Sequence, residues 1–307
     1  MSYAIGIDIG GTKTAIGLVN SEGQVLAKTS LPTDQTLLPS EMVDRIAEAV
    51  NGLLNDKGLQ PSDLLGIGIG APGPLNTKLG IIAEPPNMRG WWGFPVVAAF
   101  KKHFSSEIVF ENDATAAALA EKWVGAAQAA EHFIYITVST GIGAGIYSHG
   151  KLITGATGNA GDIGHMAIDP AAGTCVCGQQ GCLEFVASGT AIARSASELL
   201  GRSITSKEAF DLAFSGQDGR MEEIVNRAFR YIGIGCVSLI NTFDPELLVI
   251  GGGVSQVGAP MFDAVSDYIK RYALNPSGRD TQLVPAALQQ DAGLIGAAAL
   301  IHIPYSF

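Results

Sequence analysis

The apolar positions of this chain come first as short continuous runs and only later as a long helical stripe. Residues 3–9, Tyr-Ala-Ile-Gly-Ile-Asp-Ile, read as a buried strand. Gly10-Gly11-Thr12-Lys13 then turns the chain, 14–20 read as a second strand, Ser21-Glu22-Gly23 as a hairpin turn and 24–30 as a third strand. Helical spacing follows from about Pro39 to Asn55, with Met42, Ile46, Val50 and Leu53/Leu54 on one face. Residues 64–69 read as another strand, ending in Gly70-Ala71-Pro72-Gly73-Pro74. A loop rich in Pro, Asn and Trp covers 83–94. Val96 to His103 is expected as a short helix, 107–110 as a short strand and 114–122 as an alanine-rich helix.

The pattern then recurs. Residues 133–138 read as a strand, Ser139-Thr140-Gly141-Ile142-Gly143 as a turn, 144–148 as a returning strand, and His149-Gly150 turns the chain into 151–153. A long helical stretch at 219–242 precedes the strand Leu247-Leu248-Val249-Ile250 and the glycine loop Gly251-Gly252-Gly253-Val254-Ser255. Both halves share an order of elements without sharing identity. This predicts an α/β protein built by duplication, as two domains with a cleft between them. The expected domains are 1–113 with 291–307, and 114–290, the latter carrying an insertion. Asp291 to Ile301 is expected as a helix N-capped by Asp291 that crosses back to the first domain.

Composition narrows the partners. With 47% hydrophobic and 16% charged residues the chain can bury a substantial core and is not of the disordered class. The net charge of −10 and the absence of a Lys/Arg run argue against a nucleic-acid partner. No apolar run approaches the ~18 residues of a membrane span. Strand character from residue 3 is expected to leave no room for a signal peptide, which with the thiols favours a reducing cytoplasm.

Three of the four cysteines, Cys175, Cys177 and Cys182, fall close together after His165. Three thiolates and one imidazole match a closed structural zinc site, with no position left open for catalysis. A disulfide or unliganded core cysteines are the competing readings. Asp162 and Glu184 flank this stretch, so a metal would fix both carboxylates in space.

The turns Gly10-Gly11-Thr12-Lys13 and Thr140-Gly141-Ile142-Gly143 present backbone N–H groups and a hydroxyl, as anion sites do; plain hairpin turns are the alternative. Gly6 to Lys13 lacks the register of a Walker A loop, and Gly68-x-Gly70-x-x-Gly73 is interrupted by Pro72 and opens no helix. Asp8, inside an apolar strand, either bonds the turn amides or stands near Mg²⁺. Asp113, in Glu111-Asn112-Asp113, reads either as a helix N-cap or as a general base beside a hydroxyl-binding Asn112, and spacing leaves both open.

Asp8-Ile-Gly-Gly-Thr12, Glu111-Asn-Asp113, Gly158-Asn-Ala-Gly161 through His165, and Cys175-x-Cys-Gly-x-x-Gly-Cys-x-Glu184 together resemble the ROK family of repressors, open reading frames and sugar kinases. Within it the chain is most similar to the bacterial glucokinases. The resemblance implies an actin-like, duplicated ribonuclease-H-like fold and transfer from ATP, with Mg²⁺, to the 6-hydroxyl of a hexose. Glucose comes first, then mannose, fructose or an N-acetylhexosamine. It makes Asp113 the base and assigns the sugar to Gly73, Asn87, Asn112, Asp113, Asp162, Glu184 and His165, the last also on Zn²⁺. It assigns ATP to Gly10, Gly11, Thr12, Thr140 and Gly141, with Gly252 and Gly253 near the adenosine; Lys13 adds a cation to the first turn. Asp162 stands where the family commonly has Glu, one methylene longer. A homodimer is also implied. A non-catalytic sugar-responsive regulator is the reading of another class, and the few residues before Asp8 argue against the repressor arrangement.

Overall fold

The computed structural model describes residues 2–216 and 218–303. In chain order its first elements are β1 (Tyr3–Ile9), β2 (Lys13–Asn20), β3 (Val25–Pro32), α1 (Pro39–Asp56), β4 (Leu64–Ala71), β5 (Leu75–Asn76), β6 (Ile81–Ile82), α2 (Val96–Phe100), β7 (Glu107–Asn112) and α3 (Asp113–Val124). The chain continues through β8 (Phe133–Val138), β9 (Ile142–Ser148), β10 (Lys151–Leu152), α4 (Leu183–Ala187), α5 (Gly189–Leu200), α6 (Ser206–Phe214) and α7 (Gly219–Phe243). It closes with β11 (Leu247–Gly251), α8 (Ala259–Tyr272), α9 (Pro276–Arg279), β12 (Gln282–Pro285) and α10 (Ala292–His302).

Two five-stranded sheets repeat one topology, β3-β2-β1-β4-β7 and β10-β9-β8-β11-β12. In the first, β1 pairs antiparallel with β2 and parallel with β4, which is parallel to β7. In the second, β10 is antiparallel to β9, and β11 lies parallel to both β8 and β12. The shared order of elements in the two halves is therefore a shared order of strands.

The chain divides into two compact units, Met1–Ala129 with Gly145–Gly161 and Ala287–Phe307, and Ala130–Ala144 with Asp162–Ala286. This places α3 in the first unit, beyond the expected boundary at 113. The cause is close packing of α3 on α10, where a Cβ on Gly296 would lie 2.4 Å from the Ala116 carbonyl oxygen.

Alternation along β1 assigns its two faces. Ile5, Ile7 and Ile9 are fully buried with Met42, Ile46 and Val50 of α1. Ala4, Gly6 and Asp8 face the other way, toward α10. There a Cβ on Gly6 would sit 2.1 Å from the Leu294 carbonyl oxygen, and one on Gly68 of β4 1.6 Å from that of Ala297. These two glycines are what lets α10 rest directly on strand backbones.

Several boundaries differ from the periodicity reading. β9 starts at Ile142, inside the expected turn, and α2 stops at Phe100, with turns through His103. Asp291 precedes α10 as expected, but its side chain makes no cap; it pairs with Lys28 Nζ at 2.8 Å instead. The helices α4, α5, α6, α8 and α9 and the strands β5, β6 and β12 have no counterpart among the sequence expectations. Among the described residues no helix is long and apolar enough to cross a membrane.

Candidate active site and metal loop

In the first unit, strand pairing sets Asp8 opposite Gly70 and Gly70 opposite Glu111. Three parallel strands thus end side by side, which is where open α/β sheets receive ligands. Beyond those ends come the Gly10–Lys13 turn, Gly73 and Asn112–Asp113.

Asn112 is the N-cap of α3. Its Oδ1 accepts from Ala114 N at 3.0 Å and Thr115 N at 3.2 Å. The cap role considered for Asp113 therefore falls to its neighbour. Asp113 occupies the first helical turn, and its Oδ1 accepts from Ala114 N at 2.7 Å. Its carboxylate is oriented by the helix terminus and stabilised by the helix dipole.

Asp8 is held up at about 7, first by burial and then by the Asp113 charge, against the pull of Lys13. Its Oδ2 lies 2.3 Å from where a Cβ on Gly293 would be, so any side chain at this point in the first turn of α10 would displace the Asp8 carboxyl. The Gly10–Lys13 turn closes through Gly10 N to Lys13 O at 3.0 Å. Gln35 Nε2 bonds the carbonyl oxygens of both Gly11, at 2.6 Å, and Asn87, at 3.1 Å. Asn87 therefore stands beside the turn. Gln35 escaped the sequence reading because a lone exposed glutamine between a strand and a helix carries no pattern.

Glu111 is fully buried. Its Oε1 accepts from Asn112 N at 2.9 Å, while Oε2 has no hydrogen-bond partner among the described residues. Burial pushes Glu111 up to about 7. The folded protein thus holds this proton to higher pH than the unfolded chain, so stability is lost as pH rises from the unfolded carboxyl value toward 7. Glu111→Gln should raise unfolding free energy at pH 8 by on the order of 3 kcal/mol and by little at pH 4. Urea denaturation at the two pH values checks this; a variant less stable at both would refute it.

In the second unit, the turn after β8 meets the glycine loop after β11. A Cβ on Gly252 (φ 87°) would lie 2.4 Å from Val138 O, and one on Gly253 3.8 Å from Ser139 Oγ. The N-terminus of α5 closes on the same turn, with Gly189 N on Ser139 O at 2.7 Å and Thr190 Oγ1 on Thr140 O at 2.8 Å. Gly189 and Thr190 were absent from the sequence candidates. Their signal was Ser188, a helix N-cap serine just ahead of them.

Glu184 ties this turn to the loop that carries the Cys/His cluster. Its Oε2 accepts from Ile142 N at 2.9 Å and fills the space a Cβ on Gly141 would need, 2.3 Å away. Gly164 lies against the same turn, its would-be Cβ 2.2 Å from Ile142 O. Dehydration raises Asp162 above the usual carboxylate range, His165 pulls it back and the Glu184 charge pushes it up again. Asp162, His165 and Glu184 are thus electrostatic neighbours.

The side-chain donors of His165, Cys175, Cys177 and Cys182 all lie within 4.8 Å of one another. Cys175 Sγ is 3.8 Å from His165 Nδ1, and Cys177 Sγ is 3.6 Å from Cys182 Sγ. A zinc–sulfur bond of ~2.3 Å gives a tetrahedral edge of roughly 3.8 Å, so both spacings suit zinc. With Nδ1 turned to the cysteines, His165 Nε2 is on the opposite side of the ring from them. Gly173, Gly178 and Gly181 adopt φ of 124°, 88° and 68°, the left-handed geometry that brings the thiols together. The fourth cysteine, Cys236, is buried in α7 away from this cluster, as an ordinary core residue.

Residues 4–303 match the ROK family. A glucokinase of Halalkalibacterium halodurans is 34% identical over 97% of this chain and 94% of that protein. An N-acetylmannosamine kinase of Shigella boydii is also 34% identical, over 96% of this chain and 97% of that protein. Among solved structures, a ROK family glucokinase from Streptomyces griseus in complex with glucose and AMPPNP superposes with a TM-score of 0.83 at 34% identity, covering 97% of this chain and 99% of that one. Two sheets of one repeated topology are those of the two-domain, actin-like fold, and on the match over 4–303 and these relatives the chain belongs to the ROK family.

Proposed function

We propose that the protein is an ATP-dependent hexose kinase acting on the sugar 6-hydroxyl, with glucose as substrate. The observation that carries this reading is the placement of Asp113, oriented by the α3 N-terminus beside Asp8 and the Gly10–Lys13 turn. In the reaction the 6-hydroxyl oxygen forms a bond to the γ-phosphorus and the bond to the β–γ bridging oxygen breaks. Asp113 accepts the hydroxyl proton, and ADP leaves.

Little covalent chemistry is asked of the protein, so positioning and charge stabilisation dominate. In the first unit, the Gly10–Lys13 turn binds phosphate oxygens through the N–H groups of Gly11 and Thr12 and the Lys13 ammonium, while Gly10, whose own N–H is held by the Lys13 carbonyl, closes the turn. Asn87 and the amide of Asn112 meet sugar hydroxyls, and Gly73 lines their pocket. Asp8 lacks a full counter-charge and suits Mg²⁺, which supplies neutralisation of the developing phosphate charge. In the second unit, Thr140, Gly141, Gly252 and Gly253 bind nucleotide. Asp162, His165 and Glu184 accept from sugar hydroxyls. Zn²⁺ on His165, Cys175, Cys177 and Cys182 would fix the loop that carries them.

A panel of glucose, mannose, fructose and N-acetylmannosamine with ATP and Mg²⁺, read as ADP release, tests the reading. Glucose should show the highest kcat/KM. A higher value for N-acetylmannosamine would move the assignment toward the relative of that name. No sugar-dependent ADP release would leave a non-catalytic regulator. Light scattering tests the implied homodimer.

Glu184 has a second task beyond the sugar, since its carboxylate braces the phosphate turn at Ile142. Glu184→Ala should therefore weaken AMPPNP binding by roughly tenfold even without sugar, as expected for losing a hydrogen bond to a charged group. Calorimetry on the sugar-free protein checks this. Unchanged AMPPNP affinity with a raised sugar KM would restrict Glu184 to the sugar.

A further inference from the structure

Outside the residues used above, the second unit contains a cavity of about 290 Å³ between the 169–172 loop, α4, α5 and α7. Asp169, Phe185, Arg194, Ser195, Arg227 and Tyr231 are among the residues that line it. Its one carboxylate, Asp169, accepts the Tyr231 hydroxyl at Oδ2, 2.5 Å away, and keeps its charge. Two guanidinium groups stand against that single carboxylate in the lining. Arg194 lies over the Phe185 ring and donates Nη2 to the Phe185 carbonyl at 2.6 Å. Among the described residues neither Arg194 nor Arg227 forms an ion pair. In a chain of net charge −10, a cavity lined by two arginines and one carboxylate carries an excess of positive charge, which suits an anion.

We infer that this cavity is a binding site for a small phosphate monoester. Two planar guanidinium forks and the Ser195 hydroxyl offer more donors than a carboxylate has oxygens to receive, and suit the three terminal oxygens of a phosphate. A volume of about 290 Å³ stands at the small end of ligand sites and accommodates a phosphate on a small body. Binding there reaches the phosphate turn through a short path. Phe185 and Val186 wall the cavity, and Glu184, the preceding residue of α4, holds Ile142 N. A ligand that competes for Arg194 releases the Phe185 carbonyl and alters the support of Glu184. The site itself stands apart from the kinase reading; its effect on turnover rests on it.

The test is calorimetry on the full chain with inorganic phosphate, glycerol 3-phosphate and glucose 6-phosphate, at ionic strength matched with chloride. It is run in saturating glucose and AMPPNP, so that the phosphate turns of the proposed active site are occupied. One saturable site should remain, and Arg227→Gln should weaken it by about tenfold or more. Arg227 is exposed, so this variant is expected to fold, which circular dichroism checks. Arg194→Lys should also weaken binding, since a point charge cannot replace the fork. Tighter binding of the sugar phosphates than of inorganic phosphate would assign the ligand to the former, and equal binding would assign a bare phosphate site. No saturable binding at millimolar ligand, or unchanged affinity in Arg227→Gln, would overturn the inference.

Discussion

Asp113→Asn should lower kcat by about three orders of magnitude or more while leaving sugar affinity within a few-fold of wild type. The substitution is close to isosteric. Asparagine Oδ1 can still accept from Ala114 N, and the cap of α3 rests on Asn112, so the helix start is not expected to move. What is lost is a basic oxygen at the attacking hydroxyl. A secondary effect follows from charge: with the Asp113 carboxylate gone, one of the two causes that hold Asp8 up disappears, and Asp8 ionises more readily at neutral pH. The defect therefore cannot be blamed on poorer charge at Asp8. ADP release against glucose calorimetry separates the two quantities, and an undiminished kcat would remove Asp113 as the base.

Loss of the proposed zinc should be as damaging, by another route. Cys177→Ser leaves an exposed position nearly unchanged in shape but takes away one thiolate of the four-donor set. A structural zinc site contributes on the order of 10 kcal/mol to the folding of its loop. Its loss should free the His165–Cys182 segment, and with it the elements that hold Glu184 against Ile142. The expected result is activity reduced by roughly a hundredfold or more, cleavage by protease within this loop, and far-UV dichroism close to wild type. Metal analysis should find about one zinc per chain in the wild type, as a four-donor set requires. A metal-free wild type together with a fully active Cys177→Ser would mean that the thiols are ordinary packing residues.

These two residues show how differently the parts of the site could be read. The Cys/His stretch announces itself through local pattern, because a four-donor set needs specific residue types at short spacing, whereas spacing left Asp113 open between a helix cap and a base, and the cap is Asn112. β1 and β4 were legible for another local reason: buried parallel strands read as continuous apolar runs. The α8 stripe of Met261, Val265 and Ile269 was also present in the chain, but it lies in a polar segment without a strong cap signal. The fold-level contacts of α10 were harder to read. Its run of Ala and Gly looks like a plain apolar helix until Gly6 and Gly68 are seen to make room for it.

Taken alone, the amino-acid order determined the repeated succession of strands and turns, the thiol-and-imidazole set, and the acidic residues at strand ends. Each is a local property, fixed by side-chain period and spacing within a few residues. Only the tertiary structure decided that Asp8 rests on Gly293 from the far end of the chain, that Gln35 joins Gly11 to Asn87, and that Glu184 braces Ile142. The physical reason is that such contacts join residues distant in sequence, whose meeting is set by sheet order and helix packing, and those are cooperative properties of the whole chain.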